Sequence, residues 1–314
     1  MKSEINATIL NGDYFSSKGI TFDIPVEIHF SRFGDANSRH QLGDIKINFK
    51  DISSFKVFVC SNEPVSSRSR EITENIIHNA HKYDLILTSE KKILQSVSNS
   101  VLFPYGTTWL NKDKNHLDSL GVFDESIFSS TFENKKFEIS FLSTSHLGKE
   151  GYNHRCIIWN NKHVFRYPTK FYSSTRFPTN NGVFSNTLHD GMLPNDDKIN
   201  LFNSQFSIAI ESSVEESYFT EKLIDCLLTK TVPVYLGCPN ISDFFDTRGM
   251  VVVSSVKELV EKINTITDKT YDSMKPYIEE NYKRAQKYGS SFFERIKNEI
   301  TLYRLNLVEQ GKIK

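Results

Sequence analysis

The second half of the chain alternates short apolar segments with segments of helical periodicity, and this alternation constrains the fold more than any other feature. The sequence predicts strands at residues 206–210, 232–236 and 250–253, and helices at 219–229 and 256–266. Strands separated by helices are typical of a parallel sheet, because parallel neighbours need a long crossover connection between them. We therefore expect an α/β fold.

A series of the same kind occupies the first half. Strands are predicted at residues 55–60, 83–88 and 100–103 and helices at 70–82 and 90–97, after an N-terminal stretch of turns and β-segments. The stretch between Leu110 and Lys136 is polar and charged, which favours a linker. Beyond it, a strand is predicted at 137–142 and a helix at 152–162. We expect two domains, residues 1–135 and 136–314, with a C-terminal helical stretch at 271–308 in the second.

Charge and apolar content exclude several classes of partner. Lysine and arginine together number 38 and aspartate and glutamate also number 38, so no net field favours nucleic acid or an anionic membrane. No apolar run approaches the roughly 20 residues that span a bilayer, and the polar start of the chain lacks a signal-peptide core. These observations predict a cytoplasmic protein without a transmembrane segment and without a nucleic-acid partner.

The residues that usually bind metals show no suitable spacing. The four cysteines are scattered without a C-x-x-C pair, and the nine histidines include no H-x-x-x-H pair. No Asp-x-Asp motif is present, since Asp196 and Asp197 are adjacent. We expect no metal and no cofactor.

The side chains best suited to bind an anion follow the strand predicted at 206–210. Glu211 comes directly after it, and Glu221 and Lys222 stand at the start of the next helix, which Thr220 can cap. A helix start presents unpaired N–H groups and a partial positive charge, and ligands of open α/β sheets bind at the carboxyl ends of strands. This pattern favours a diphosphate beside Lys222 and ribose hydroxyls that donate to Glu221. Surface residues without a ligand are the alternative interpretation.

The residues around this helix start form three motifs. Residues 206–213 have the form F-x-x-x-x-E-S-S, residues 218–222 the form Y-F-T-E-K, and residues 232–237 the form V-P-V-Y-L-G. Together they resemble the donor-binding signature of glycosyltransferase family 10, the α1,3/α1,4-fucosyltransferases, including the interval between the first Glu and the Tyr. Ser212 stands where that family usually has Asn. The resemblance implies that the donor is bound by Glu211, Ser212, Ser213, Tyr218, Thr220, Glu221 and Lys222.

The resemblance also implies roles for two residues outside these motifs. Arg155, in the helix predicted at 152–162, is similar to a helix-borne arginine of the family that contacts donor phosphate, and its planar guanidinium fits phosphate oxygens. Glu63, which follows the strand predicted at 55–60, corresponds to the family's catalytic base. A helix-surface arginine and a loop carboxylate before Pro64 are the alternative interpretations.

The function implied by the resemblance is that of an inverting glycosyltransferase with a GT-B fold of two facing Rossmann-like domains. It would transfer fucose from GDP-fucose to a glycan hydroxyl, with residues 1–135 holding the carbohydrate acceptor and residues 136–314 the nucleotide sugar. Glu63 would remove the hydroxyl proton, while Arg155 and Lys222 would stabilise the departing nucleoside diphosphate without a metal. Two alternatives remain: a glycosyltransferase of the same scaffold with another nucleotide sugar, and a non-catalytic nucleotide- or carbohydrate-binding protein.

Overall fold

The computed structural model describes residues 8–11, 19–30, 53–60, 69–110, 123–128, 132, 134–143, 148–174, 189–193 and 198–313. The chain divides into two compact units: one comprises Met1–Tyr105 and Ser291–Lys314, and the other comprises Gly106–Ser290. Each unit contains one sheet and several helices. The predicted α/β class is confirmed.

The first unit contains a five-stranded sheet with the order β1–β2–β3–β4–β5. Its strands are β1 (Thr8–Asn11), β2 (Val26–Phe30), β3 (Phe55–Val59), β4 (Leu85–Thr88) and β5 (Ser100–Leu102). β1 is antiparallel to β2, and the remaining neighbours are parallel. All residues of β2 and β4 are buried, as expected of parallel strands that are covered on both faces.

The second unit contains a parallel six-stranded sheet with the order β11–β10–β9–β6–β7–β8. Its strands are β6 (Lys136–Ser143), β7 (Thr169–Ser174), β8 (Gly191–Leu193), β9 (Ser204–Ile210), β10 (Val232–Leu236) and β11 (Val251–Val252). The strand order reverses between β6 and β9, because the chain first adds strands on one side of β6 and then on the other. A reversal of this kind leaves a crevice at the carboxyl ends of the two strands, where ligands of doubly wound sheets bind.

The helices lie close to their predicted places. They are α1 (Ser69–Asn79), α2 (Lys91–Ser96), α3 (Glu150–Asn160), α4 (Glu221–Leu228), α5 (Val256–Ile263), α6 (Asp268–Gly289) and α7 (Phe292–Glu309). The predicted helical stretch at 271–308 is two helices, because the chain is extended at Ser290. α7 belongs to the first unit and not to the second, where the sequence had placed it. In the described part of the chain, every helix is too short or too polar to span a bilayer.

The stretch interpreted as a linker contributes to the core of the second unit. Leu110 and Phe128 are buried in the same apolar cluster as Phe219, and the Phe128 ring stacks on the Phe123 ring with centroids 5.6 Å apart. The described residues of this stretch are therefore held by apolar side chains, where its charged composition had suggested exposure. The boundary between the compact units accordingly falls after Tyr105 and not after residue 135. The acceptor and donor roles of the two domains stay predictions.

Candidate functional site

The start of α3 packs directly against the backbone that follows β9. The amide of Gly151 donates to the carbonyl oxygen of Ser212 at 3.2 Å. A Cβ atom on Gly151 would lie 1.7 Å from the carbonyl oxygen of Glu211, so only glycine permits this approach. The close packing brings a helix start to the crevice at the ends of β6 and β9.

A buried hydroxyl lies at the carboxyl end of β6. Ser143 is buried, and its Oγ has no hydrogen-bond partner among the described residues. Buried polar groups are nearly always hydrogen-bonded, so an unpartnered one marks a group that a ligand or water satisfies. Ser143 therefore adds a polar group to this crevice.

The Glu211 carboxylate holds the start of α4. Its Oε1 accepts from the backbone N of Thr220 at 2.8 Å, and its Oε2 accepts from Thr220 Oγ1 at 2.8 Å. Thr220 in turn caps α4, because its Oγ1 accepts from the backbone N of Lys222. Burial raises the pKa of Glu211 above its usual value, against the attraction of Lys222. These contacts give Glu211 an anchoring task, and its direct binding of a donor stays a prediction.

Lys222 is the most accessible charged group at this helix start. Its side chain is 23% exposed, whereas those of Glu221 and Glu211 are 7% and 0% exposed. The Lys222 ammonium lies 3.0 Å from Glu221 Oε1, 3.1 Å from Thr220 Oγ1 and 3.8 Å from Glu211 Oε2. An anion arriving from solvent therefore meets the Lys222 ammonium before it meets either carboxylate.

Glu221 stays ionised although it is buried. Burial opposes its ionisation, but the nearby ammonium groups of Lys222 and Lys198 outweigh burial and lower the pKa of Glu221 to about 2. An ionised carboxylate accepts hydrogen bonds and donates none. Glu221 is thus a permanent acceptor, which is the chemistry that a ribose hydroxyl requires.

Two buried residues that the sequence did not single out extend this group of charges. Lys198 Nζ lies 3.0 Å from Asp225 Oδ2 and 4.0 Å from Glu221 Oε1. Burial raises the pKa of Asp225, and Lys198 opposes this effect. We call Asp225, Lys198, Glu221, Lys222 and Glu211 the charge cluster; the signs of neighbouring members alternate. The signal in the sequence was an aspartate within the otherwise apolar end of α4.

Arg155 lies beside the end of β9. Its Nε and Nη2 donate to the carbonyl oxygen of Ile210 at 3.1 Å and 2.5 Å, and its guanidinium stands 5.1 Å from the Tyr152 ring centroid. Arg155 is buried, so the alternative of a helix-surface arginine is excluded. Its contact with a donor phosphate stays a prediction.

Hydrogen bonds within the loop between β9 and α4, and one to the segment after β10, hold this loop in place. Ser212 Oγ and Tyr218 OH lie 3.0 Å apart and both residues are buried, as is Ser213. Ser217 has a φ of 58°, and its backbone N donates to Asn240 Oδ1 at 2.8 Å. A left-handed serine is rare, and this hydrogen bond helps to hold it. The loop is therefore a fixed support for the helix start.

The predicted catalytic residue Glu63 lies outside the described residues. β3 ends at Val59, Cys60 is the last described residue before Glu63, and the role of Glu63 stays a prediction. Within the described ranges, no group of three or more His, Cys, Asp or Glu side chains is arranged to hold a metal ion. Metal independence stays a prediction.

Comparison with known proteins bears on the second unit. Residues 184–292 match the family model for the C-terminal domain of glycosyltransferase family 10 (fucosyltransferase). An α-(1,4)-fucosyltransferase of Arabidopsis thaliana is 36% identical over 67 residues, which cover 20% of this chain and 17% of that protein. The α-(1,3)-fucosyltransferase FucT of Helicobacter pylori is 35% identical over 69 residues, which cover 21% of this chain and 14% of that protein. Each match spans less than a fifth of the relative's length.

Solved structures resemble the chain over a larger part. A sucrose-phosphate synthase from Thermosynechococcus elongatus has a TM-score of 0.52 at 8% identity, covering 82% of this chain and 69% of that one. An α1,3-fucosyltransferase crystallised with GDP-fucose has a TM-score of 0.46 at 15% identity, covering 82% of this chain and 75% of that one. The former likeness concerns the fold alone, and it confirms the predicted GT-B class.

Proposed function

The second unit of this chain carries the signature and the matching domain of glycosyltransferase family 10, and from this premise we propose that the protein is a fucosyltransferase. In this proposal it transfers fucose from GDP-fucose to a glycan hydroxyl with inversion at the anomeric carbon. The observation that carries the proposal is the placement of Lys222 and Glu221 at the capped start of α4, inside the matched residues 184–292.

The geometry of the helix start fits a nucleoside diphosphate. The accessible ammonium of Lys222 would bind the diphosphate beside the start of α4, and the ionised Glu221 would accept from the ribose. As the glycosidic bond to the diphosphate breaks, negative charge grows on the leaving oxygen. A cation already in place stabilises that charge without reorganisation, which is how such a site accelerates the reaction.

Other parts of the reaction rest on the resemblance and on ordinary chemistry. Glu63 would take the proton from the acceptor hydroxyl, and Arg155 would add a second cation near the diphosphate. A single displacement then inverts the anomeric carbon, and GDP and the fucosylated glycan leave. The cytoplasmic location belongs to the proposal as well, and fractionation of cells that express the native protein would test it.

Two linked experiments test the donor and the activity. Thermal-shift measurements against GDP-fucose, GDP-mannose, UDP-glucose and UDP-galactose should show stabilisation by the first and less by the others. A glycan array with labelled GDP-fucose should then show transfer to at least one acceptor. Stabilisation by a different nucleotide sugar would favour the same scaffold with another donor, and binding without transfer or donor hydrolysis would favour a non-catalytic binding protein.

A further inference from the structure

Lys198 is a buried cation that connects two parts of the second unit. Its side chain is 6% exposed, and its ammonium lies 3.0 Å from Asp225 Oδ2 and 4.0 Å from Glu221 Oε1. The ammonium also stands 4.5 Å from the centroid of the Trp109 ring. A buried lysine is costly unless it is paired, and here two carboxylates and an aromatic face surround it.

Asp225 fixes where this lysine points. Its Oδ1 accepts from Thr108 Oγ1 at 2.6 Å and from the backbone N of Trp109 at 3.0 Å, while its Oδ2 receives the Lys198 ammonium. Asp225 and Glu221 are four residues apart on α4 and therefore share a face of the helix. The segment 108–109 and α4 thus hold Lys198 in a buried position beside Glu221.

Lys198 gives Glu221 a second cation when a bound ligand competes for the Lys222 ammonium. In the structure, Glu221 Oε1 receives the Lys222 ammonium at 3.0 Å. A bound diphosphate would compete for that same ammonium, since Lys222 is the accessible member of the pair. Without a second cation, Glu221 would then be a buried carboxylate with a weakened partner, free to follow Lys222 or to take up a proton.

We propose that Lys198 is a positioning residue of the nucleotide site, which keeps the Glu221 carboxylate ionised and correctly oriented when Lys222 turns to the diphosphate. This inference rests on the proposed function, because it takes a nucleoside diphosphate as the ligand. Lys198 acts on that ligand only through Glu221. Its loss should therefore matter only while position 221 is a carboxylate.

A double-mutant cycle with GDP as the probe tests this dependence. Calorimetry would compare the GDP affinity of the unmodified protein, Lys198→Met, Glu221→Gln and the double variant. We expect Lys198→Met to weaken binding about tenfold when Glu221 is intact and less than about twofold when it is combined with Glu221→Gln, because the two residues couple. Lys198→Arg, which keeps the positive charge, should retain most of the GDP affinity of the unmodified protein.

Controls separate positioning from folding. Lys162→Met is the matched control, because Lys162 also lies over a tryptophan, 4.0 Å from the Trp159 centroid, and is not a member of the charge cluster. If Lys198→Met fails to fold, Lys198→Met with Asp225→Asn removes both charges and keeps an oxygen acceptor for Thr108. The GDP affinity of this double variant is then compared with and without Glu221→Gln.

The outcomes distinguish this inference from the proposed function. Equal losses of GDP affinity with and without Glu221→Gln, or no loss in either case, would overturn the positioning role while leaving the nucleotide site intact. If the unmodified protein binds neither GDP nor GDP-fucose, the proposed function fails and this inference fails with it.

Discussion

Replacing Lys222 by methionine tests the ligand site most directly, because the change removes one charge and keeps the length of the side chain. The charge cluster contains three carboxylates and two ammonium groups, so with all of them ionised its formal charge is −1, and loss of Lys222 changes it to −2. A charge-assisted hydrogen bond to a phosphate contributes about 1.5–3 kcal/mol, which corresponds to roughly ten- to a hundredfold in affinity. Because the remaining carboxylates also repel the diphosphate, we expect a loss near the upper end.

Calorimetry with GDP measures this effect, and thermal unfolding of the same samples checks that the variant folds. Lys275→Met is the control, since Lys275 is an exposed surface lysine that pairs with Asp272 at 2.7 Å and lies outside the charge cluster. The control should bind GDP as the unmodified protein does. Unchanged GDP affinity of Lys222→Met would refute the placement of the diphosphate at the start of α4.

Two further predictions rest on the site and two on the resemblance. Because the pKa of Glu221 is lowered to about 2, its ionised form stabilises the fold above an unfolded-state pKa of about 4.5. That stabilisation, on the order of 3 kcal/mol, is lost as pH falls from about 4.5 to about 2. Denaturant titrations should show a weaker pH dependence in Glu221→Gln, and an unchanged slope would contradict this. Gly151→Ala should destabilise the protein by about 1–3 kcal/mol in the same titrations, since its Cβ would strike the Glu211 carbonyl; wild-type stability would show that α3 can move. Transfer should persist after exhaustive treatment with EDTA, and a loss that added metal restores would disprove metal independence. Glu63→Gln should slow transfer by at least ~10² with little change in GDP affinity, and near-normal rates would remove Glu63 as the base.

The α/β class was predictable because each strand is a short apolar run between helical segments. The strand at residues 206–210 illustrates this: every residue of β9 from Phe206 to Ile210 is buried, and four of the five are apolar, so the run stands out in the sequence. The boundary of the units was not predictable in the same way. Its position depends on Phe123 and Phe128, which pack in the core of the second unit. Contacts between residues far apart in the sequence cannot be read from the composition of one stretch.

The candidate site was predictable to different depths. Thr220, Glu221 and Lys222 follow one another in the sequence, so capping and the helix start bring them together by local geometry alone. Lys198 and Thr108 reach the same helix from positions 27 and 117 residues from Asp225. Only the folded sheet determines such contacts. Glu211 shows a further limit of prediction from sequence. Its position directly after the strand was predicted correctly, but its hydrogen bonds to Thr220 were not predicted.

Two observations of different kinds favour the same place for the proposed ligand site. The reversal of strand order between β6 and β9 is a property of the backbone, and it would predict a crevice there for any side chains. The resemblance to the family 10 signature is a property of side chains, and its Lys222 lies on the helix that follows β9. Because neither observation depends on the other, a different donor sugar would change the identity of the ligand without moving the site. Gly151 permits the close approach of α3, and at the end of β6 the Ser143 hydroxyl has no hydrogen-bond partner within the described ranges, so we expect further ligand contacts from α3 and from the end of β6.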